Sequence, residues 1–73
     1  MGKLRVLSGA EVCRILREHG FVKVRQRGSH VVMQRRAPGT VVTVPVHTHI
    51  ELKAGTLSAI VRQSGLPRAL FEE

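Results

Sequence analysis

Two kinds of apolar spacing alternate along the chain. Val12, Ile15 and Leu16 recur at helical spacing, with Cys13 at the edge of the stripe and Arg14, Arg17 and Glu18 facing away from it. Ser8-Gly9-Ala10-Glu11 precedes them as a capping box: the Ser8 hydroxyl takes the backbone N–H three residues on, and Glu11 reaches back. Leu7 stands where it can staple onto Val12. Gly20 supplies a left-handed residue past the last turn, and Phe21 can fold back on Leu16. The pattern predicts a helix over 8–19. His19 falls at its C-terminal end, as a capping or surface histidine.

The period then changes to two. Strands are predicted over 22–27 and 30–35, joined by Gly28-Ser29, with glycine in the loop position that needs a positive φ. A two-residue loop sets Arg27 opposite His30, and opposed residues share a face. One face then carries Lys23, Arg25, Arg27, His30, Val32 and Gln34; the other carries Val22, Val24, Val31 and Met33. Pro38-Gly39 reads as the centre of a type II turn, and Thr40–Val44, β-branched throughout, as a third strand that Pro45 ends or places at an edge. Residues 46–53 cross over. Gly55-Thr56 opens a second helix with Leu57, Ile60 and Val61 on one face. Gly65-Leu66 repeats the exit of the first helix, and a short last turn over 68–71 follows Pro67.

The order is α-β-β-β-α, an α+β fold with a three-stranded antiparallel meander. Each helix has one apolar stripe, so both cover the single apolar sheet face and leave the opposite face, with Arg25, Arg27 and His30, in solvent. Seventy-three residues read as a single domain over 1–73 with a thin core, worth roughly 3–5 kcal/mol of stability. No apolar run approaches the ~20 residues of a membrane span, and Met1–Leu7 is too short an apolar stretch for a signal peptide. One cysteine excludes an internal disulfide framework and is compatible with a reducing cytosol.

Charge narrows the partners. Twelve lysines and arginines against five acids leave a net +7, which points to a polyanion: nucleic acid, an anionic membrane or an acidic protein. Phe21 and Phe71 are the only aromatics among Phe, Trp and Tyr, so a single-strand stacking platform is disfavoured. His47-x-His49 sets two imidazoles on one side of an extended segment, but Cys13 is distant and a closed zinc site needs four ligands, so packing or hydrogen bonding is the plainer role for His47. Cys13 beside an apolar stripe behaves as a small hydrophobe. The acids at 11, 18, 51, 72 and 73 form no catalytic pair, and no glycine spacing makes a phosphate loop.

His30 differs in its setting. Histidine titrates near neutrality and moves protons in either direction. Beside a phosphodiester it can take the proton of a ribose 2′-OH, whose oxygen then attacks phosphorus, while Lys23, Arg25 and Arg27 hold the phosphate. Spacing leaves this reading open beside a second one, a hairpin-end histidine bonded to a neighbouring carbonyl.

The motifs together resemble the HicA (YcfA-like) family of bacterial toxins, small mRNA interferases of toxin–antitoxin pairs. The resemblance rests on Ser8-Gly9-Ala10-Glu11, Gly20-Phe21, Arg27-Gly28-Ser29-His30, Val42-Thr43-Val44-Pro45-Val46-His47, Gly55-Thr56-Leu57-Ser58-Ala59-Ile60 and Gly65-Leu66, in order across nearly all of 7–66. It implies a double-stranded-RNA-binding-domain-like fold and a cytoplasmic, type II toxin that inhibits translation by cutting mRNA without a metal or other cofactor. It implies His30 as the catalytic histidine of the Gly-Ser-His element and a HicB-type antitoxin that occludes the active face. The candidate RNA contacts around His30 are Lys23, Arg25, Arg27, Gly28, Ser29 and Gln34. Many family members continue beyond Pro67 with a longer C-terminal helix than 67–73 offers. The competing class is a non-catalytic module that binds double-stranded RNA or DNA through the basic face alone; a third is an adaptor for an acidic protein.

Overall fold

A computed structural model describes residues 2–73. The elements follow the expected order: α1 (Gly9–Glu18), β1 (Val22–Arg27), β2 (His30–Ala37), β3 (Thr40–His47), α2 (Ala54–Ser64) and a 3-10 turn over Arg68–Phe71. The sheet is antiparallel in the order β1-β2-β3, with both helices on one face.

The ends of α1 are set by the residues that predicted them. Glu11 N–H donates to Ser8 Oγ at 3.1 Å, and Ser8 N–H to Glu11 Oε1 at 3.0 Å, completing the capping box. At the other end Phe21 N–H reaches Leu16 O and Gly20 N–H reaches Arg17 O, the paired bonds of a Schellman exit. The exit of α2 departs from that expectation. Gly65 is left-handed, but Leu66 N–H donates to Ser64 Oγ rather than to a carbonyl of the helix, and the buried Ser64 hydroxyl donates to Val61 O at 2.7 Å. A side chain has replaced one of the two backbone bonds.

Strand lengths depart too. The third strand does not stop at Pro45: β3 runs on to His47, and Pro45 sits opposite Val32 within it. Proline is tolerated because β3 is an edge strand, where half of the N–H groups face away from the sheet. The apolar alternation of Val42, Val44 and Val46 towards the helices therefore continues unbroken, and Thr43, Pro45 and His47 line the other face.

In β1 the expected alternation breaks. The register slips between Lys23 and Arg25, so that Val22 pairs with Gln34 and Lys23 with Met33, whereas Arg25 pairs with Val32 and Arg27 with His30. Val24 is the extra residue of a β-bulge. Lys23 consequently lies on the helix side of the sheet, opposite in face to Arg25, Arg27 and His30, and Val22 joins their face. Val22 and Val24 are 58% and 49% exposed, not core. The helices lie over β3 more than over β1, whose residues are all exposed, so β1 can absorb the slip.

The core joins Val31, Met33, Val44 and Val46 of the sheet to Val12, Ile15 and Leu16 of α1 and Leu57, Ile60 and Val61 of α2, with Phe21 and Phe71 fully buried at its rim. Arg35, on the helix side, covers Phe21 with its guanidinium 5.3 Å from the ring centroid, beside Gly20 and Gly65. A cation there faces the C-terminal ends of both helices, where their dipoles are negative. The N-terminal segment clasps the fold twice: Leu4 bridges to Glu72, and Ser8 bridges to Glu51.

Gly9 makes the closest approach. A Cβ on Gly9 would stand 1.9 Å from His47 O and 2.7 Å from Thr48 Cα, so the start of α1 rests directly on the backbone that ends β3. A Cβ on Gly55, exposed in the first turn of α2, would meet nothing. Gly9→Ala is therefore expected to cost about 1–3 kcal/mol, the usual range for overpacking, and Gly55→Ala to be neutral or stabilising by up to about 1 kcal/mol; urea unfolding of the two variants checks the contrast.

Glu11 adds a pH term. Its bonds to the Ser8 backbone and hydroxyl hold its carboxyl below the usual value of 4.5. A carboxylate with a depressed folded-state pKa stabilises above its unfolded pKa and loses that contribution as pH falls through the folded one. The stability advantage of the wild type over Glu11→Gln is accordingly expected to be constant above about pH 5.5 and to shrink steadily in more acid solution, read from urea midpoints across the pH series.

Candidate functional site

The face left bare by the helices is ordered in cross-strand rows. Arg27, His30 and His47 form the first, across β1, β2 and β3; Arg25, Val32 and Pro45 form the second; Val22, Gln34 and Thr43 form the third. Gln34 Nε2 donates to Thr43 Oγ1 at 3.2 Å, and Arg36 lies beyond, opposite Val41. Arg25, Arg27 and His30 are all exposed.

The first row sits at the hairpin. Gly28 turns it with a φ of 61° and lies exposed. Ser29, half-buried, contributes its carbonyl: Thr48 donates to it with both backbone N–H, at 2.8 Å, and Oγ1, at 3.0 Å. These two bonds carry the β2–β3 pairing one step past His30 and His47 and fix both backbones. Gln26 Nε2 closes the other side of the turn on Gly28 O.

The outcome is a cluster of three imidazoles. His30 and His47 are stacked, with ring centroids 4.3 Å apart and planes inclined by 27°. His49 meets His47 edge-on, also at 4.3 Å. Burial, and after it the neighbouring rings of His30 and His49, push the His47 pKa below the usual imidazole value. Among the described residues the one imidazole hydrogen bond is that of His19 Nδ1 with Ile15 O, at the end of α1. The rings of the cluster are thus held by stacking and by the strand backbones. Among the described residues no three His, Cys, Asp or Glu side chains converge to hold a metal ion.

Beside the stack opens a pocket of about 420 Å³, between the free edge of β3 and the start of α2. Its floor is apolar, from Val46, Leu52 and Ile60, and its rim is polar, from His30, His47, Glu51, Lys53 and Thr56. A smaller hollow of about 190 Å³ lies on the helix side, where Lys23 and Gln26 meet Cys13 and Arg17. Lys23 Nζ is bonded there to Gln26 Oε1 at 2.8 Å. Of the residues singled out in the sequence, Arg25, Arg27, Gly28, Ser29, His30 and Gln34 therefore come together at or along one face, and Lys23 does not.

His47 and Arg36 are the cationic or titratable members of this face that the sequence reading did not assign to it, alongside Val22, Val41, Thr43 and Pro45. For His47 the signal was present: the period of two runs from Thr40 through Val46, and extending it by one residue sets His47 opposite His30. Proline in the run concealed it.

Fold and site define a class: a small basic α+β domain whose uncovered sheet face displays a cluster of histidines flanked by arginines. The family model described as the HicA toxin of bacterial toxin-antitoxin matches residues 9–66. The chain belongs to the HicA toxin family and is a toxin of a toxin–antitoxin system, with an antitoxin as its partner. The match spans every element of the sheet, both helices and all three clustered histidines. No curated protein matches the chain. Among the described residues no helix is long and apolar enough to cross a membrane.

Cys13 stands outside this site. It is 5% exposed, and burial raises its thiol pKa despite the nearby charges of Arg17 and Lys23. The thiolate is the reactive form. Alkylation by iodoacetamide at pH 8 is expected to be at least tenfold slower in the native protein than in urea; equal rates, followed by mass spectrometry, would contradict the buried placement.

Proposed function

We propose that this toxin is a metal-independent endoribonuclease, an mRNA interferase that silences translation in the cytoplasm, with residues 1–73 acting as one toxin domain. The observation that carries the reading is the first cross-strand row: an exposed His30 with Arg27 on one side and a second imidazole on the other, on the face without helices. A histidine so displayed reaches a ribose-phosphate backbone, moves its protons, and has guanidinium groups beside it to hold the phosphate and balance charge on its oxygens. Arg25 and Arg27 do the holding, with Arg36 further along the face. Gly28, Ser29 and Gln34 border the path of the strand. Lys23 contributes long-range charge only, since the bulge turns it to the other side of the sheet.

The same face suits the antitoxin. It mixes cations with exposed apolar groups, Val22 and Val41 being 58% and 50% exposed, and a partner of the HicB type with an acidic and apolar surface would cover both at once. Covering the face would deny RNA access to His30.

Incubation of the protein with single-stranded mRNA in EDTA is expected to yield fragments, and His30→Ala, folded by circular dichroism, to cut at least a hundredfold more slowly. RNA that is retained in a gel shift but never cut, with His30→Ala behaving as wild type, would instead identify a non-catalytic double-stranded nucleic-acid binder. Within the nuclease reading, Arg27→Ala is expected to weaken RNA binding and flatten its salt dependence, because one phosphate contact is lost. Lys23→Ala is expected to change affinity less than twofold.

A further inference from the structure

We infer that His47 is a second catalytic residue, which takes the 2′-OH proton while His30 supplies a proton to the departing 5′-oxygen. The inference rests on the nuclease reading above and divides its chemistry between two rings.

The geometry leads. His30 and His47 are directly opposed in the ladder, and their rings are stacked with centroids 4.3 Å apart. In an in-line displacement at phosphorus the attacking and leaving oxygens lie on opposite sides of the atom, and a pair of groups spaced about 3.5–4 Å apart is suited to serve both, as in two-metal sites. Two stacked imidazoles with centroids 4.3 Å apart stand at nearly that spacing. A single histidine would have to serve both oxygens in turn. The backbones that carry the rings are locked by Thr48 on Ser29 O and by α1 resting through Gly9 on His47 O, so the spacing is built in. Such preorganisation is what proton transfer at two oxygens requires.

The roles follow from surroundings. In the proposed division of labour the stacked pair shares a single proton. His47 is the ring whose charged form is disfavoured: it is half-buried against the pocket wall and faces His30 on one side and His49 on the other. Glu51 and Lys53 line the same pocket with opposite charges, and Arg27 and Arg25 lie beyond His30 on β1. His47, the more buried ring, is thus assigned as the acceptor, and His30, the more exposed one, as the donor. The step balances. The O2′–P bond forms as His47 takes the hydroxyl proton, and the P–O5′ bond breaks as His30 gives its proton to O5′. The products are a 2′,3′-cyclic phosphate and a 5′-hydroxyl end. The pair begins with a proton on His30, ends with one on His47, and returns to its starting state through water.

The test uses two RNAs of one sequence, ordinary and with sulfur in place of the leaving O5′ at the cut position, because a thiolate departs without a proton. On ordinary RNA, His47→Ala, His47→Gln and His30→Ala are each expected to slow cleavage by about 10²–10⁴-fold. On the sulfur-bridged RNA, His30→Ala is expected to recover to within tenfold of wild type and both His47 variants to remain slow, since the 2′-OH still has to lose its proton. Recovery of His30→Ala also shows that its loss on ordinary RNA was not misfolding. His47→Gln cutting ordinary RNA at the wild-type rate, or any other pattern of rescue, overturns the assignment while leaving the nuclease reading intact. A wild-type protein that cuts neither RNA overturns both.

Discussion

The pairing of β2 with β3 is the contact on which the rest is hung. Its eight opposed pairs run without a slip from Ala37 and Thr40 at the turn to His30 and His47 at the far end. The buried residues of the sheet, Val31 and Met33 with Val44 and Val46, all belong to these two strands, and both helices pack against β3. Because side chains alternate strictly between faces, the register that delivers four aliphatic groups to the core also delivers His30 and His47 to the opposite side, next to each other. A slip of one residue would exchange the two sets. Core stability and the assembly of the histidine stack are therefore the same constraint.

The end of the ladder that carries the histidines is reinforced from several directions, in contrast to β1, which is exposed throughout and accommodates a bulge. Thr48 continues the pairing onto Ser29 O; the start of α1 presses its glycine against His47 O; the segment before α1 bridges to Glu51 and bonds Leu52 to Leu7 O. The loop between β3 and α2, which a small domain would ordinarily leave mobile, is tied to the first helix and to the hairpin. Rigid backbone at one edge and a plain, solvated strand at the other is a sensible division for a chain with little core to spend.

This arrangement bears on how a toxin of this size is kept in check. On the proposed nuclease reading, a bare sheet face that mixes arginines with exposed valines suits both a polyanion and a protein partner, and the two would compete for it by simple occupancy. No conformational switch would be needed for an antitoxin that covers the same surface as the substrate. The strong positive charge of the chain hastens encounter with either.

Local grammar was legible residue by residue. The capping box at Ser8 and Glu11, the exit at Gly20 and Phe21, the Gly28-Ser29 loop and the Pro38-Gly39 turn each depend on contacts within a few residues, so their sequence signals determined the element order, the meander and the opposition of Arg27 to His30. What the chain could not declare is settled across longer distances. The bulge at Val24 lies in a strand that is exposed along its whole length, and it moved Lys23 off the histidine face. Pro45 stays in β3 because nothing pairs on that strand's outer edge. The closeness of Gly9 to His47, and of His47 to His30, joins residues far apart in sequence through the packing of α1 on the sheet. Order and local geometry came from neighbours along the chain; which side chains share a surface, and at what distance, came from register and layer packing, where the burial of the whole outweighs the preference of any one strand.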